Sequence, residues 1–283
     1  MRKQDKATGV NIMAQVNVRN NVVIMLGGYD AEMLEIRRVL ETEGVAFCDK
    51  GLGWGAAASA YQEEIAQAVS EGKTPVLVEL ARDIELPQGS IEIDHHGDRS
   101  SEPASLLQVL SLLGLEPSRQ QSLIAANDAG FIPAMLALGA TQEEVSEVRL
   151  LDRKAQGITS EQELEAERAI AGAETVNGVT VVRMAHSKCA TVTDRLFNPN
   201  QEQRLLILSG DGESNFYGDR RLCEELKGEK TGTAPAPWGP NQTVETFSNF
   251  GGWTGGGEET GFWGGYADQE AILAYVTNYF AQK

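Results

Sequence analysis

Two histidines and an aspartate stand side by side in the segment Ser-Ile-Glu-Ile-Asp-His-His-Gly, residues 90–97, and the whole chain has three histidines. The Ile-x-Ile pattern predicts a short strand, so that Asp94, His95 and His96 leave its carboxyl end. Open α/β sheets bind their ligands at that edge. One carboxylate with two imidazoles supplies oxygen and nitrogen ligands suited to manganese, zinc or iron. For an isolated His-His pair, the alternative is a strand-end turn whose histidines face the solvent.

The first half of the chain alternates predicted strands and helices. Short apolar and β-branched runs predict strands at residues 21–26, 45–48, 75–80 and 90–94. Apolar residues at helical spacing predict helices over residues 33–40 and 56–69. This order predicts a parallel sheet with crossover helices, and therefore an α/β fold. The glycine-rich stretch 51–55 lacks the lysine and the spacing of a phosphate-binding loop, so we interpret it as a turn near the site.

Residues 101–173 are predominantly helical in pattern. Capping boxes that begin at Thr141 and Ser160 predict two helix starts, and the acidic stretch 161–168 is typical of a solvated helix that links domains. Residues 231–265 are rich in Gly, Pro, Thr and Trp and are predicted to be irregular. We therefore expect three segments: a disordered leader (1–20), a metal-binding domain (21–172) and a smaller α/β C-terminal domain with a glycine-rich substrate-binding segment (173–283).

The composition limits the classes of partner and compartment. The net charge is −17, whereas proteins that bind long duplex nucleic acid usually carry a basic face. A small anion held by metals and a few placed residues is compatible with this charge. No apolar run approaches the length of a membrane span, so we expect no membrane partner. Three cysteines far apart in the chain fit a reducing cytoplasm rather than a disulfide framework.

The Asp-His-His segment and its surroundings resemble the DHH phosphoesterase superfamily, which includes single-strand exonucleases, nano-RNases, cyclic-dinucleotide phosphodiesterases and family II pyrophosphatases. The resemblance covers roughly residues 21–135 by the order of the motifs, and more weakly the C-terminal domain. It implies one or two divalent metal ions, most often manganese. It implies catalytic roles for Asp94, His95 and His96, with His96 contacting the substrate or acting as the acid. The implied metal ligands are Asp30, Glu79, Asp94, His95 and Asp128.

The chain departs from the pattern of this superfamily in its first motif. That motif has the form His-x-x-x-Asp-x-Asp, whereas the equivalent stretch here is Met25-Leu26-Gly27-Gly28-Tyr29-Asp30, which lacks the histidine and one aspartate. Glu79 stands where an aspartate is usual. Glu32 is a substitute carboxylate, although its position two residues after Asp30 in a helix start predicts that it points elsewhere.

A further group of residues has types that suit contact with a phosphate or a base. Arg99 follows the signature, and His186 and Lys188 follow a predicted strand. In the C-terminal domain, glycine backbone can approach a phosphate closely, and aromatic rings can stack on a base. The candidates there are Gly255, Gly256, Gly257 and Trp263. A tight loop packed for structural reasons is an equal alternative for the glycine-rich segment.

These patterns predict a metal-dependent phosphoesterase that hydrolyses a small nucleotide or short oligonucleotide. Two alternatives stay open: a catalytically degenerate domain that binds a nucleotide or a protein partner without turnover, and a hydrolase of pyrophosphate type. Aromatic residues in the C-terminal segment count against pyrophosphate, because it has no ring on which they can stack. The sequence leaves a homodimer open.

Overall fold

The computed structural model describes residues 18–236 and 239–282 of the chain. Most of the predicted leader, residues 1–20, lies outside the described residues. The chain divides into two compact units, one ending at Gly157 and the other beginning at Ile158. The sequence-based boundary near residue 172 lies after the helix Ser160–Ala171, which packs with the second unit through Ala166.

After residue 21, the first unit contains four strands and five α-helices among its described residues. They are β1 (Val22–Leu26), α1 (Ala31–Glu43), β2 (Phe47–Asp49), α2 (Gln62–Ser70), β3 (Thr74–Val78), β4 (Ile91–Ile93), α3 (Ser105–Leu113), α4 (Arg119–Ala137) and α5 (Gln142–Ala155). Single 3-10 turns lie at Ala58–Tyr61 and Gly97–Arg99.

The four strands form one parallel sheet in the order β2-β1-β3-β4. This arrangement confirms the α/β prediction. All five residues of β1 are buried, as expected for a strand covered on both faces. The register pairs Leu26 with Val78, and Val78 with Ile93. The residues that follow β1, β3 and β4 therefore leave the sheet at one common edge.

The second unit is built on a six-stranded sheet with the order β11-β12-β8-β7-β6-β5. Only the β6–β7 pair is parallel among its described pairings. Its elements are α6 (Ser160–Ala171), β5 (Glu174–Val176), β6 (Val179–Met184), α7 (Ala190–Leu196), β7 (Leu205–Ser209), β8 (Ser214–Asp219), α8 (Arg220–Lys227), β9 (Lys230–Ala236), β10 (Gly239–Phe247), β11 (Trp253–Gly256), β12 (Thr260–Gly265) and α9 (Gln269–Ala281).

The prediction that residues 231–265 are irregular is wrong. This region forms the antiparallel pair β9–β10 and the hairpin β11–β12. Glycine serves as a strand residue in β11–β12 because aromatic rings of the neighbouring strand lie over it. A Cβ on Gly255 would lie 2.5 Å from the ring of Phe262, and one on Gly264 would lie 2.5 Å from the ring of Trp253.

The capping boxes are confirmed at one helix and displaced by one residue at the other. Thr141 and Glu144 form the predicted reciprocal pair at the start of α5. At α6 the cap is Thr159 with Gln162, rather than Ser160 with Glu163. Among the described residues, no helix combines the length and the apolar character required to cross a membrane.

Candidate metal centre

Four side chains from separate elements of the first unit meet beside the carboxyl ends of β3 and β4. Glu79 follows β3, His95 follows β4, Glu32 lies in the first turn of α1, and Asp128 lies in α4. His95 Nε2 lies 2.5 Å from Asp128 Oδ2, 3.5 Å from Glu79 Oε1 and 3.7 Å from Glu32 Oε2. We call these four residues the His95 cluster.

The four converging atoms of the His95 cluster are buried, and apart from one another they have no hydrogen-bond partner among the described residues. The side chain of Glu32 is 0% exposed, and that of His95 is 6% exposed. A buried polar atom without a partner costs about 1–3 kcal/mol, and more when it is charged. One nitrogen and three carboxylate oxygens that converge in this way match the ligand set of Mn²⁺, Fe²⁺ or Zn²⁺. The residues present therefore fit a divalent cation.

Burial and mutual charge shift the pKa values within the His95 cluster. Burial is the main reason that the pKa of Glu32 rises to about 8, and the charges of Asp128 and Glu79 raise it further. The pKa of His95 rises to about 12, chiefly because of Asp128 and then because of Glu32 and Glu79. Without a cation the cluster therefore retains protons at neutral pH. A bound cation replaces those protons, so its affinity is expected to fall as the pH falls.

The position of Glu32 differs from the prediction that its side chain points elsewhere. Its Oε1 accepts a hydrogen bond of 2.9 Å from the backbone N–H of Leu106, and its Oε2 faces His95. The sequence did contain a signal for this orientation. Glu32 precedes Ile36 by one helical turn, and Ile36 is fully buried. A carboxylate on the apolar face of α1 therefore points into the core rather than away from the site.

Asp94 lies beside His96 in a turn, and His96 reaches both the cluster and the solvent. Asp94 Oδ1 accepts the backbone N–H of His96 at 2.9 Å and lies 3.1 Å from His96 Nδ1. A carboxylate at this position favours the tautomer with a proton on Nδ1. The His96 ring is 42% exposed, and it offers a ligand atom within 4.8 Å of those of Glu79, His95 and Asp128. The role of Asp94 as a metal ligand stays a prediction.

Asp30 caps α1 and lies close to the same carboxylates. Its Oδ1 accepts the backbone N–H of Met33 at 2.8 Å. Burial, followed by the charges of Asp128, Glu79 and Asp152, raises the pKa of Asp30 to about 6. A carboxylate surrounded by this much negative charge is suited to face a second cation. The role of Asp30 as a metal ligand stays a proposal.

A close approach of two chain segments shapes the edge of the sheet at Glu79. Glu79 adopts a φ of +51°, an uncommon conformation for a residue with a side chain. A Cβ on Gly27 would lie 2.2 Å from the carbonyl oxygen of Glu79. Only glycine fits at position 27, because any side chain there would meet the backbone of Glu79.

A buried ion pair between Arg149 and Asp152 of α5 contacts both α1 and α4. Arg149 in α5 donates to Asp152 Oδ2 at 2.7 Å and to Asn127 Oδ1 at 2.9 Å, and its guanidinium lies 4.3 Å from the ring centre of Phe131. Asp152 Oδ1 accepts the backbone N–H of Ala31 at 3.2 Å. Arg149 therefore contacts α4 on both sides of Asp128, while Asp152 contacts α1 beside Asp30.

Two of the three predicted phosphate-binding residues contact other groups within their own unit. Arg99 donates to the carbonyl oxygen of Glu92 at 3.0 Å, against the edge strand β4. In the second unit, His186 Nε2 lies 3.1 Å from the carbonyl oxygen of Gln162 and 3.2 Å from Glu165 Oε2. Lys188 is exposed. The roles of Arg99, His186 and Lys188 in binding substrate stay predictions.

The proposed substrate contact at Trp263 needs correction. Its side chain is fully buried, and its Nε1 donates to the carbonyl oxygen of Gly251 at 2.7 Å. An indole in this position belongs to the core of the second unit and is not accessible to a base. Gly255 and Gly256 lie in β11 and Gly257 follows it. The glycines of β11 are explained by cross-strand packing, and contact with phosphate stays a prediction for all three.

Comparisons with known proteins give structural likenesses only. No family model and no curated protein matches the chain. Among solved structures, the chain is similar to the pGpG-specific phosphodiesterase PggH from Vibrio cholerae, at 8% identity and a TM-score of 0.40 over 93% of this chain and 99% of that one. It is also similar to RecJ from Thermus thermophilus in complex with Mg²⁺, at 14% identity and a TM-score of 0.36 over 96% of this chain and 52% of that one.

A third likeness is to an uncharacterized protein from Helicobacter pylori, at 10% identity and a TM-score of 0.26 over 92% of this chain and 98% of that one. At these identities and TM-scores, the three likenesses assign neither a family nor an activity to this chain. The function of this chain is therefore inferred from the residues of the site.

Proposed function

We propose that this chain is a metal-dependent phosphoesterase that hydrolyses a small nucleotide or a short oligonucleotide. The observation that carries the proposal is the convergence of four buried polar atoms in the His95 cluster, which contact one another at the carboxyl edge of a parallel sheet. The Asp94-His95-His96 segment, which resembles the signature of the DHH phosphoesterases, supports the same chemistry.

The residues divide into a tight centre and a weaker one. Glu32, Glu79, His95 and Asp128 hold the tightly bound divalent cation, for which manganese is the proposed ion. Asp30 and His96 face a second position beside it. When bound, such ions stabilise the negative charge that develops on phosphoryl oxygens and promote ionisation of the attacking water.

His96 is the proposed general acid of the reaction. Its ring is accessible, and Asp94 Oδ1 lies 3.1 Å from its Nδ1 and fixes its orientation. In the doubly protonated ring, Asp94 holds the proton on Nδ1, and Nε2 carries a second proton that can pass to the leaving oxygen. An imidazole suits this role because one ring nitrogen can keep its proton while the other releases one.

A second candidate function is binding without turnover. The observation that favours it is Gly28, which stands two residues before Asp30 where the first motif has an aspartate and offers no ligand. A protein that holds a single cation can bind a nucleotide phosphate through it and yet lack the second ion that a two-metal hydrolysis uses.

The first prediction tests the metal centre and the activity together. We expect the protein, after chelation and dialysis, to bind Mn²⁺ by calorimetry, to melt at a higher temperature with Mn²⁺, and to hydrolyse dinucleotides only with the metal. His95→Ala, Glu79→Gln and Asp128→Asn are each expected to weaken metal binding at least about tenfold, because each removes one of the four ligands. Glu41→Gln, in an exposed ion pair of α1, is the control and is expected to behave as the parent.

The same experiment separates the alternatives. Dinucleotide binding without turnover in any divalent metal would favour the binding protein, and turnover of pyrophosphate alone would favour a phosphoanhydride hydrolase. Equal metal binding by the parent and by all three ligand variants would contradict the proposed centre.

A further inference from the structure

Trp54 is the most exposed large apolar side chain among the described residues. Its indole is 85% exposed, whereas Trp263 is fully buried. A large aromatic ring left in water forgoes the burial that usually stabilises such a side chain. Its position therefore calls for a reason other than packing.

The position of Trp54 links it to the proposed metal centre. Trp54 lines the same cleft as Glu79, Asp94 and His96, together with Gly27 and Gly28. The cleft has a volume of about 150 Å³, which is smaller than the roughly 300–1,000 Å³ of pockets that enclose a whole small molecule. A nucleotide whose phosphate enters this cleft must leave its base at the rim, where the indole is exposed.

The loop that carries Trp54 is fixed to the sheet at both ends. On one side, the Tyr61 hydroxyl accepts the backbone N–H of Lys50 at 2.9 Å and donates to the carbonyl oxygen of Leu26 at 2.7 Å. On the other side, the backbone N–H of Ala58 donates to the carbonyl oxygen of Ala81 at 2.9 Å. Ala81 lies two residues beyond Glu79. Both anchors belong to the edge that carries the metal ligands, so the indole is held at a defined place beside them.

Glycines give the tip of this loop room to adjust to a ligand. Gly51 and Gly55 have φ values of +62° and +80°, and a Cβ on Gly53 would meet nothing within 4 Å. The loop therefore joins fixed ends to a single large aromatic side chain, while Leu52 between Gly51 and Gly53 packs against the core.

We propose that Trp54 determines specificity by stacking on the base of the nucleotide whose phosphate occupies the cleft. This inference rests on the proposed function, and it names the substrate class as phosphoesters with a base next to the reacting phosphate. Aromatic stacking is tolerant of base identity, because every base has a π face. The substrate is therefore selected for possessing a base rather than for a particular one.

The test compares substrates with and without a base in the metal-loaded, full-length protein. We expect Trp54→Ala to raise KM for a dinucleotide about 5- to 100-fold, the range that corresponds to loss of one stacked base. Trp54→Phe, which keeps an aromatic face, is expected to restore most of that loss. Hydrolysis of methyl phosphate or pyrophosphate, which carry no base, is expected to be the same in all three proteins. Leu138→Ala, an exposed apolar residue of the same unit, is the control.

A binding measurement keeps this inference separate from the proposed function. A nucleoside monophosphate with Mg²⁺ is expected to quench the tryptophan fluorescence of the parent but not of Trp54→Ala. Quenching without any turnover would retain the role of Trp54 and overturn the hydrolase. Turnover of dinucleotides with an unchanged KM in Trp54→Ala, or an equal change for base-free substrates, would overturn the role of Trp54.

Discussion

Asp30 shows how one residue serves local structure and also carries a cost that a metal would remove. As the cap of α1 it accepts the backbone N–H of Met33, which stabilises the helix start. Its pKa nevertheless rises from 3.8 to about 6, through burial and the nearby carboxylates. The folded metal-free state therefore binds more protons than the unfolded state between about pH 4 and pH 6. Stability falls as the pH rises through that window.

The replacement Asp30→Asn separates these two effects. Asparagine caps a helix about as well as aspartate, but it carries no charge. In the metal-free protein at pH 7 we expect Asp30→Asn to raise the free energy of unfolding by about 1–3 kcal/mol, the upper value being that of a shift of about two pKa units. The increase in the free energy of unfolding on addition of Mn²⁺ is expected to be smaller for Asp30→Asn than for the parent. Urea denaturation at pH 5 and pH 7.5, with and without metal, measures both quantities. A metal-free variant less stable than the parent at pH 7.5 would contradict the electrostatic account.

At the residue scale, the sequence predicted the chemistry of the site better than its geometry. Glu79, His95 and Asp128 were identified from strand ends and from the signature, and the structure brings them together. Glu32 was expected to point elsewhere because spacing along a helix was compared with Asp30 alone. The buried face of α1 decides its direction. Trp263 was misassigned because a sequence pattern does not separate a core indole from an exposed one.

At the element scale, parallel strands were predictable and glycine-rich hairpins were not. Apolar runs in β1 and β3 identify strands buried on both faces, and their common edge follows from the parallel order. The hairpin β11–β12 contains glycines that usually disfavour strands. Those glycines are tolerated because rings on the neighbouring strand cover them, and this depends on a cross-strand register that local sequence does not contain. The break in α4 at Gly130 and Phe131 likewise depends on tertiary contacts with α5.

In the link between β1 and α1, a carboxylate can be added to the incomplete first motif at position 28 but not at position 27. A Cβ on Gly28 would lie 3.0 Å from Met33 Cγ, a flexible side chain, and 3.3 Å from Glu79 Oε2 and 3.8 Å from Asp30 Oδ2. Gly28 has no positive φ. Gly28→Asp is therefore expected to add a carboxylate beside Asp30 and to tighten the weaker metal position. It is also expected to destabilise the metal-free protein through charge repulsion. Gly27→Ala is expected to impair folding, because its Cβ would meet the backbone of Glu79.

Metal stoichiometry by calorimetry checks this prediction, with Gly28→Asn as the uncharged control of nearly equal size. In the parent we expect one tight and one weak position, and in Gly28→Asp we expect the difference between them to shrink. Two equally tight ions in the parent would show that other residues already replace the missing ligands.

At the scale of the whole molecule, a net charge of −17 opposes the approach of any long polyanion. Each further phosphate of an oligonucleotide adds repulsion from the protein as a whole, while the proposed cations attract only the phosphates next to them. A dinucleotide bears little of this repulsion, and salt screens it within about 10 Å at an ionic strength near 0.1 M. The charge of the molecule and the small volume of the cleft therefore favour the same short substrates.

The last prediction follows from this balance and concerns substrate length and salt. We expect kcat/KM to decrease from dinucleotides to longer single strands, and duplexes to be neither bound nor cleaved. Between about 50 and 200 mM salt, proteins that track nucleic acid through basic residues lose roughly 10³–10⁵ in affinity. Here binding of a longer strand is expected to stay constant or to improve, because added salt screens repulsion rather than attraction. Parallel measurements on a dinucleotide and on single strands of increasing length, at constant Mn²⁺, provide the test. Preferential processing of long strands with a steep loss of binding at high salt would mean that local positive potential outweighs the net charge, and the assignment to short substrates would then be wrong.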